Sequence, residues 1–136
     1  MKPNPKNLVY IVDDDPDDRQ IILDAFLENN TQMDYVFIEN GDELMKTLGA
    51  CEETDYPSLI LLDLNMPGML GMQALKEIKG NSRFNHIPTI VLTTSTLPTD
   101  RSASYSLGAN CFLSKPASYT ELVAITQSIA KLWFTA

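Results

Sequence analysis

The sequence predicts an α/β protein in which five parallel strands form one open sheet with helices on both faces. Short apolar runs alternate with amphipathic stretches along 136 residues, a length that suits one domain. The central runs are apolar at nearly every position, which is typical of parallel strands buried on both faces. Five strand–helix units are too few for a closed eight-stranded barrel. We therefore expect a doubly wound (βα)₅ sheet with the flavodoxin-like strand order 2-1-3-4-5.

The strands are expected at the apolar runs, over residues 8–12, 35–38, 59–62, 89–92 and 111–113. None of these runs approaches the roughly 20 residues that a membrane-spanning helix needs. The first residues, MKPNPKN, contain no apolar core of the kind that a secretory signal has. These two observations predict a cytoplasmic protein. We expect residues 1–6 to form a flexible tail and residues 7–134 to form the domain.

Helices are expected where apolar residues recur at spacings of three and four. The clearest apolar faces are Ile21, Ile22, Ala25 and Phe26 in residues 17–29, Leu44, Met45 and Leu48 in 41–49, Met72, Leu75 and Ile78 in 71–79, and Leu122, Ile125, Ile129 and Leu132 in 119–133. A weaker helix over residues 99–107 ends at Gly108, a residue type that often follows a helix C-terminus. Ser118 and Glu121 have capping-box spacing at the start of the last helix.

The net charge of −8 argues against non-specific binding to nucleic acid, because no basic stripe offsets it. It fits a protein whose ligand is a cation or whose partner carries a positive patch. Cys51 and Cys111 lack metal-site spacing, and we expect both thiols to be reduced.

Five aspartates lie between residues 13 and 18, and helix chemistry explains three of them. Asp15 precedes a proline, which is favoured at the first helical position, so Asp15 is a good N-cap. Asp17 and Asp18 fall in the first helical turn, where the helix dipole favours negative charge. Asp13 and Asp14 remain, at the end of a buried strand.

Other polar residues follow the remaining central strands. Asp63 ends the third strand, Thr93 the fourth and Lys115 the fifth. Thr94 and Ser95 beside Thr93 leave that register open by one residue. In the expected strand order, ligands bind at the carboxyl ends of the strands, so these side chains should meet. Because clustered carboxylates repel one another, a divalent cation would relieve the site, and Mg²⁺ suits hard oxygen ligands.

Four stretches now resemble a known family, the receiver domain of two-component response regulators, in its single-domain, chemotaxis-regulator-like form. They are VDDD at 12–15, LLDLNMPG at 61–68, VLTTS at 91–95 and SKP at 114–116. The resemblance implies that Asp63 accepts a phosphoryl group from a sensor histidine kinase. It also implies a Mg²⁺ site built from Asp13, Asp14, Asp63 and the backbone carbonyl of Asn65.

By the same resemblance, Thr93 hydrogen-bonds the phosphoryl oxygen and Lys115 pairs with the phosphoryl group and the acidic cluster. Phe112 occupies the switch-aromatic position, where it could fill the space that an inward-moving Thr93 leaves. A cis peptide bond between Lys115 and Pro116 is a further implied feature. Leu70 and Thr94 depart from the family pattern, and Thr94 could hinder access to the acceptor.

The resemblance implies a signalling switch or phosphorelay protein, not an enzyme. Its partners would be a sensor histidine kinase or phosphotransfer protein, and a target that binds the face made by helix 4, strand 5 and helix 5. We expect no binding to nucleic acid or membranes, and homodimerisation stays open. No output domain follows the last helix, so we expect a stand-alone receiver.

Three other functions deserve comparison with that switch. A degenerate receiver would bind partners without phosphorylation, but all five motif positions of the family are intact. These are Asp13, Asp14, Asp63, Thr93 and Lys115. A phosphatase with an aspartyl-phosphate intermediate would need D-x-D after its first strand, whereas the sequence has Asp63-Leu64-Asn65 after the third. A flavodoxin-like electron carrier would need a hydroxyl- and glycine-rich loop after strand 1, and the aspartates there would repel a phosphate.

Overall fold

The protein is described by a computed structural model that covers residues 7–28, 32–65 and 71–133. Its strands form one parallel sheet in the order β2-β1-β3-β4-β5, so the predicted fold is confirmed. The strands are β1 (Leu8–Val12), β2 (Asp34–Ile38), β3 (Leu59–Leu62), β4 (Thr89–Thr93) and β5 (Cys111–Ser114). The predicted N-terminal tail and Leu70 lie outside the described residues.

The helices lie close to their predicted positions. They are α1 (Pro16–Glu28), α2 (Gly41–Ala50), α3 (Gly71–Gly80), α4 (Pro98–Ser106) and α5 (Tyr119–Trp133), and a short 3₁₀ turn at Glu53–Asp55 was not predicted. Gly108 follows α4 with a φ of +106°, which confirms its expected role beyond the helix end. No helix in the described residues is long and apolar enough to cross a membrane.

The core consists of two apolar layers, one on each face of the sheet. Alternate strand residues supply them, because successive side chains of a strand point to opposite faces. Leu44 of α2 and Leu75 of α3 belong to one layer. Phe26 of α1 and Leu122 of α5 belong to the other. With helices on both faces, the carboxyl ends of the strands are left as the accessible edge.

Two residues predicted to face the core are exposed. Ile21 is 44% exposed and Leu132 is 70% exposed. Each stands beside a residue that takes the inward direction, Ile22 in α1 and Trp133 in α5. Successive helical residues differ by about 100° around the axis, so one of each pair must turn outward.

Candidate functional site

The centre of the site is formed by the residues that directly follow β1 and β3. These strands are neighbours, and Val12 pairs with Leu62 at their carboxyl ends. The Asp63 backbone N–H donates to the Val12 carbonyl over 3.0 Å, which continues the pairing by one residue. The parallel register therefore places Asp13 beside Asp63, as the sequence predicted.

Three carboxylates at this edge form a candidate metal site. One oxygen each from Asp13, Asp14 and Asp63 lies within 4.8 Å of the others. Asp13 and Asp63 are buried, with 1% and 6% exposure, whereas Asp14 is exposed. A hard divalent cation such as Mg²⁺ fits this donor set, because it commonly takes one or two carboxylates and keeps several waters. The predicted role of the Asn65 carbonyl stays a prediction.

The environment of Asp13 disfavours the charged form of its carboxyl group. Burial raises the pKa of its carboxyl group, and the hydrogen bonds from Lys115 and from the Asp15 backbone do not offset that effect. The Asp15 N–H donates to Asp13 Oδ1 over 3.0 Å, and Arg19 Nη1 donates to the Asp13 carbonyl over 2.7 Å. The first bond orients the Asp13 carboxylate, and the second holds the backbone that carries it.

Lys115 supplies the positive charge of the site and contacts three carboxylates. Its Nζ lies 2.6 Å from Asp13 Oδ2, 2.9 Å from Asp18 Oδ2 and 3.3 Å from Asp63 Oδ2. Burial alone would lower the pKa of Lys115, but its hydrogen bonds to Asp13 and Asp18 raise it above its usual range. Lys115 is therefore a firmly charged ammonium whose three N–H donors match three carboxylates.

The contact between Asp18 and Lys115 was missed by the sequence analysis, which assigned Asp18 to the helix dipole alone. Asp15 does cap α1, because its Oδ1 accepts the backbone N–H of Asp17 over 2.9 Å. Asp18 also serves a second purpose through its side chain. A partial signal was available: α1 and α5 cover the same face of the sheet, so the first turn of α1 lies on the side where the connection from β5 to α5 runs.

Thr93 is fully buried at the end of β4 and its hydroxyl faces the site. Thr93 Oγ1 accepts hydrogen bonds from Asn65 Nδ2 over 3.4 Å and from the Ser95 N–H over 3.3 Å. Asn65 Nδ2 also lies 3.4 Å from Oγ1 of Thr94, which is exposed. The burial of Thr93 and the exposure of Thr94 identify Thr93 as the inward hydroxyl.

Two further contacts connect this edge to α4 and β5. Ser95 Oγ donates a short hydrogen bond to Asp100 in the first turn of α4. Phe112 is buried in the core layer that contains Leu75, and its backbone N–H donates to the Tyr105 hydroxyl over 3.0 Å. Tyr105 itself is 42% exposed. The sequence analysis did not predict this bond between α4 and β5.

The start of α3 is pressed against the backbone of Asp63. A Cβ atom placed on Gly71 would lie 2.1 Å from the Asp63 carbonyl oxygen and 2.5 Å from Leu64 Cα. Both are backbone atoms, so they cannot move aside as a flexible side chain could. Only glycine fits this close approach.

The expected cis bond before Pro116 was wrong. The described residues contain no cis peptide bond, so Lys115 and Pro116 are joined in trans, the common state of X–Pro bonds. The Lys115 backbone N–H donates to the Thr93 carbonyl over 2.7 Å. This bond holds Lys115 beside the end of β4, where its side chain can reach the acidic cluster.

Comparison with known sequences gives one consistent result. The family model of the response regulator receiver domain matches residues 9–127. Response regulator Rcp1 from Synechocystis sp. is 34% identical over 133 residues, which cover 96% of this chain and 90% of Rcp1. Response regulator Rre1 from the same organism is 32% identical over 121 residues, and the match covers 89% of this chain but 50% of Rre1.

Solved structures agree with the sequence comparison. The phosphorylated cyanobacterial phytochrome response regulator RcpA is 32% identical, with a TM-score of 0.87 and coverage of 96% of this chain and 95% of RcpA. The Mn²⁺-bound form of Rcp1 is 32% identical, with a TM-score of 0.85 and coverage of 96% of both chains.

Proposed function

Because the chain belongs to the response regulator receiver family, we propose that it is a signalling switch in which Asp63 accepts a phosphoryl group. Receiver domains act in two-component signalling and interact with histidine kinases or phosphotransfer proteins. The observation that carries the proposal is the meeting of Asp63 with Asp13, Asp14 and Lys115 at one sheet edge.

The arrangement suits phosphoryl transfer to a carboxylate. One oxygen of Asp63 accepts the Asn65 N–H over 3.2 Å and the other accepts from Lys115, which orients the carboxylate plane. An Asp63 oxygen would attack the phosphorus in line, the bond from phosphorus to the donor nitrogen would break, and an acyl phosphate would form. Lys115 would neutralise part of the charge that gathers on the phosphoryl oxygens.

Mg²⁺ is the cation that we propose for the three carboxylates. When bound, it supplies positive charge that orients and neutralises the transferring phosphoryl group. The acidic cluster of this chain and the Mn²⁺-bound form of the relative Rcp1 support a divalent metal here. Burial raises the pKa of Asp13, and a cation beside its carboxylate would offset that effect.

Phosphorylation would change the contacts of Thr93. To donate its hydroxyl hydrogen to a phosphoryl oxygen, Thr93 would turn its Oγ1 toward Asp63, which would change its contacts with Asn65 Nδ2 and the Ser95 N–H. Ser95 is bonded to Asp100 in α4, so the change would reach that helix. We place the target surface on α4, β5 and α5, with Phe112 as the switch aromatic. This is a two-state element biased by one modification.

The phosphoryl donor would be a phosphohistidine on a kinase or phosphotransfer protein. The relative RcpA is described as a phytochrome response regulator, which supports a phytochrome-type kinase as one candidate donor. We keep the cytoplasm as the expected location and residues 7–134 as the receiver unit.

The test is the intact mass of the protein after incubation with acetyl phosphate and Mg²⁺. Wild type should gain one phosphate, and neither Asp63→Asn nor wild type in EDTA should gain any. Asp17→Asn, which removes a neighbouring exposed carboxylate, should behave as wild type and serves as the matched control. An unmodified wild type with both acetyl phosphate and a phosphorylated kinase would leave the partner-binding module as the better account.

A further inference from the structure

We propose that Asp18 is the positioning residue for Lys115: it holds the ammonium beside Asp63 while leaving the buried carboxylates free for a divalent cation. The inference rests on the proposed function and adds a residue to it. Lys115 has three carboxylate partners, but only two of them, Asp13 and Asp63, belong to the candidate metal group. Asp18 is the third, and its carboxylate is outside that group.

The Lys115 ammonium already contacts two of the three carboxylates that a cation would bind. The ammonium lies 2.6 Å from Asp13 Oδ2 and 3.3 Å from Asp63 Oδ2. A cation bound by the same two carboxylates would repel the ammonium and share its ligands. Lys115 would then keep its place near Asp63 only if another carboxylate held it.

Asp18 meets that requirement through its position. It stands in the first turn of α1, where its Oδ2 accepts from Lys115 over 2.9 Å. The Asp18 side chain is 38% exposed, whereas the Asp13 side chain is 2% exposed. Because the Asp18 side chain is partly hydrated and is not one of the candidate metal ligands, its contact with Lys115 takes no oxygen from the cation.

Removal of Asp18 would therefore have a specific effect on metal binding. The ammonium of Lys115 would rest on Asp13 and Asp63 alone, and it would compete with the cation for their oxygens. The loss of one negative charge near the site would also weaken cation binding in a general way. The experiment must separate these two effects.

Asp17 provides the matched control. It lies next to Asp18 in the same helical turn, and it is exposed. Among the described residues, the ion pairs of Lys115 do not include Asp17. Asp17→Asn therefore removes the same charge from almost the same place without removing a partner of Lys115.

The measurement is the Kd for Mg²⁺ by calorimetry on the metal-free full chain at neutral pH. We expect Asp18→Asn to raise the Kd about three- to fivefold more than Asp17→Asn does, the range of a partly exposed ion pair. Asp18→Glu should restore most of the affinity, because it keeps a carboxylate. In a Lys115→Met background, the difference between the two Asn variants should vanish.

Three other outcomes overturn the inference. Equal Kd values for the two Asn variants would show that Asp18 acts only as a charge. An excess effect that persists without Lys115 would show that Asp18 acts on the cation directly. A wild type that binds no Mg²⁺ removes the competition itself, whereas a wild type that binds Mg²⁺ but gains no phosphate contradicts the proposed function and leaves the role of Asp18 standing.

Discussion

Two lysines at opposite ends of the same sheet have opposite environments. Lys115, at the carboxyl end, contacts three carboxylates. Lys79, at the end of α3 near the amino ends of β4 and β5, donates to three neutral oxygens. These acceptors are the carbonyls of Asn85 and Ile87, at 3.2 and 2.8 Å, and Asn110 Oδ1, at 3.2 Å.

The two environments move the lysine pKa values in opposite directions. Burial lowers the pKa of Lys79, whereas the hydrogen bonds to carboxylates raise that of Lys115 despite its burial. Asn110 Oδ1 also accepts the Thr89 N–H over 2.9 Å, so the Lys79 cluster ties the entry to β4 together. Around Lys79, the polar groups find their hydrogen-bond partners within the chain. At the other end the carboxylates outnumber the lysine, which leaves excess negative charge.

The largest expected effect comes from removing the charged lysine. Lys115→Met should slow phosphorylation of Asp63 by acetyl phosphate about 100-fold, because a positive group aimed at the phosphoryl oxygens is lost. Intact mass against time gives the rate, and circular dichroism checks the fold. A rate within threefold of wild type would contradict the role assigned to Lys115.

The neutral cluster should show the reverse pattern. Lys79→Met should lower the free energy of unfolding by about 0.5–1.5 kcal/mol, since three oxygens lose a donor and one of them is the carbonyl of the buried Ile87. Its phosphorylation rate should stay within about twofold of wild type. Lys76→Met, which removes an exposed lysine from the same helix, is the control and should leave stability almost unchanged. Urea unfolding measures both variants.

A pH experiment sharpens the contrast further. The folded-state pKa of Asp13 is raised above its usual value, so between the two values the folded state binds more protons than the unfolded state. Stability of the metal-free protein should therefore rise as pH falls from 7 through the folded pKa. Asp13→Asn should lose this dependence. Urea unfolding in EDTA at pH 7 and pH 5 measures the stability of both proteins. A wild type that loses stability relative to Asp13→Asn as the pH falls would contradict the prediction.

The smallest expected effect is at the rim of the site. Thr94→Ala removes one weak contact, at 3.4 Å from Asn65 Nδ2, and a methyl group beside the acceptor. We expect the phosphorylation rate to rise by about twofold and the stability to change by less than about 0.5 kcal/mol. If the rate falls instead, Thr94 helps to hold Asn65 and does not hinder the donor.

Much of the fold follows from local pattern. Strand β1 was predicted over its full length, because five consecutive apolar residues between polar segments are typical of a buried parallel strand. Periodicity was less informative at the ends and edges of helices. It did not predict that Ile21 and Leu132 are exposed, since the direction of a helix face depends on how the helix packs against the sheet.

The sequence predicted those residues of the site that lie at the ends of strands. Asp13, Asp63 and Lys115 each follow a strand directly, and Thr93 is the last residue of one, so topology brings the four together. Asp18 and Lys79 are different, because neither lies at a strand end: Asp18 is in the first turn of α1 and Lys79 is in the last turn of α3. Their contacts depend on side-chain reach across the folded chain, which no local spacing reveals.

The tight fit at Gly71 has a consequence for how this chain can diverge. There is room beside the Asp63 backbone for the hydrogen of Gly71 but not for a methyl group. An alanine at this position would therefore displace Asp63, the residue that we propose as the acceptor. Gly71 has no polar side chain and takes no part in the chemistry, yet the position of Asp63 depends on it. A survey of natural descendants should find this glycine retained wherever an aspartate equivalent to Asp63 is retained, and free to drift once that aspartate has been lost.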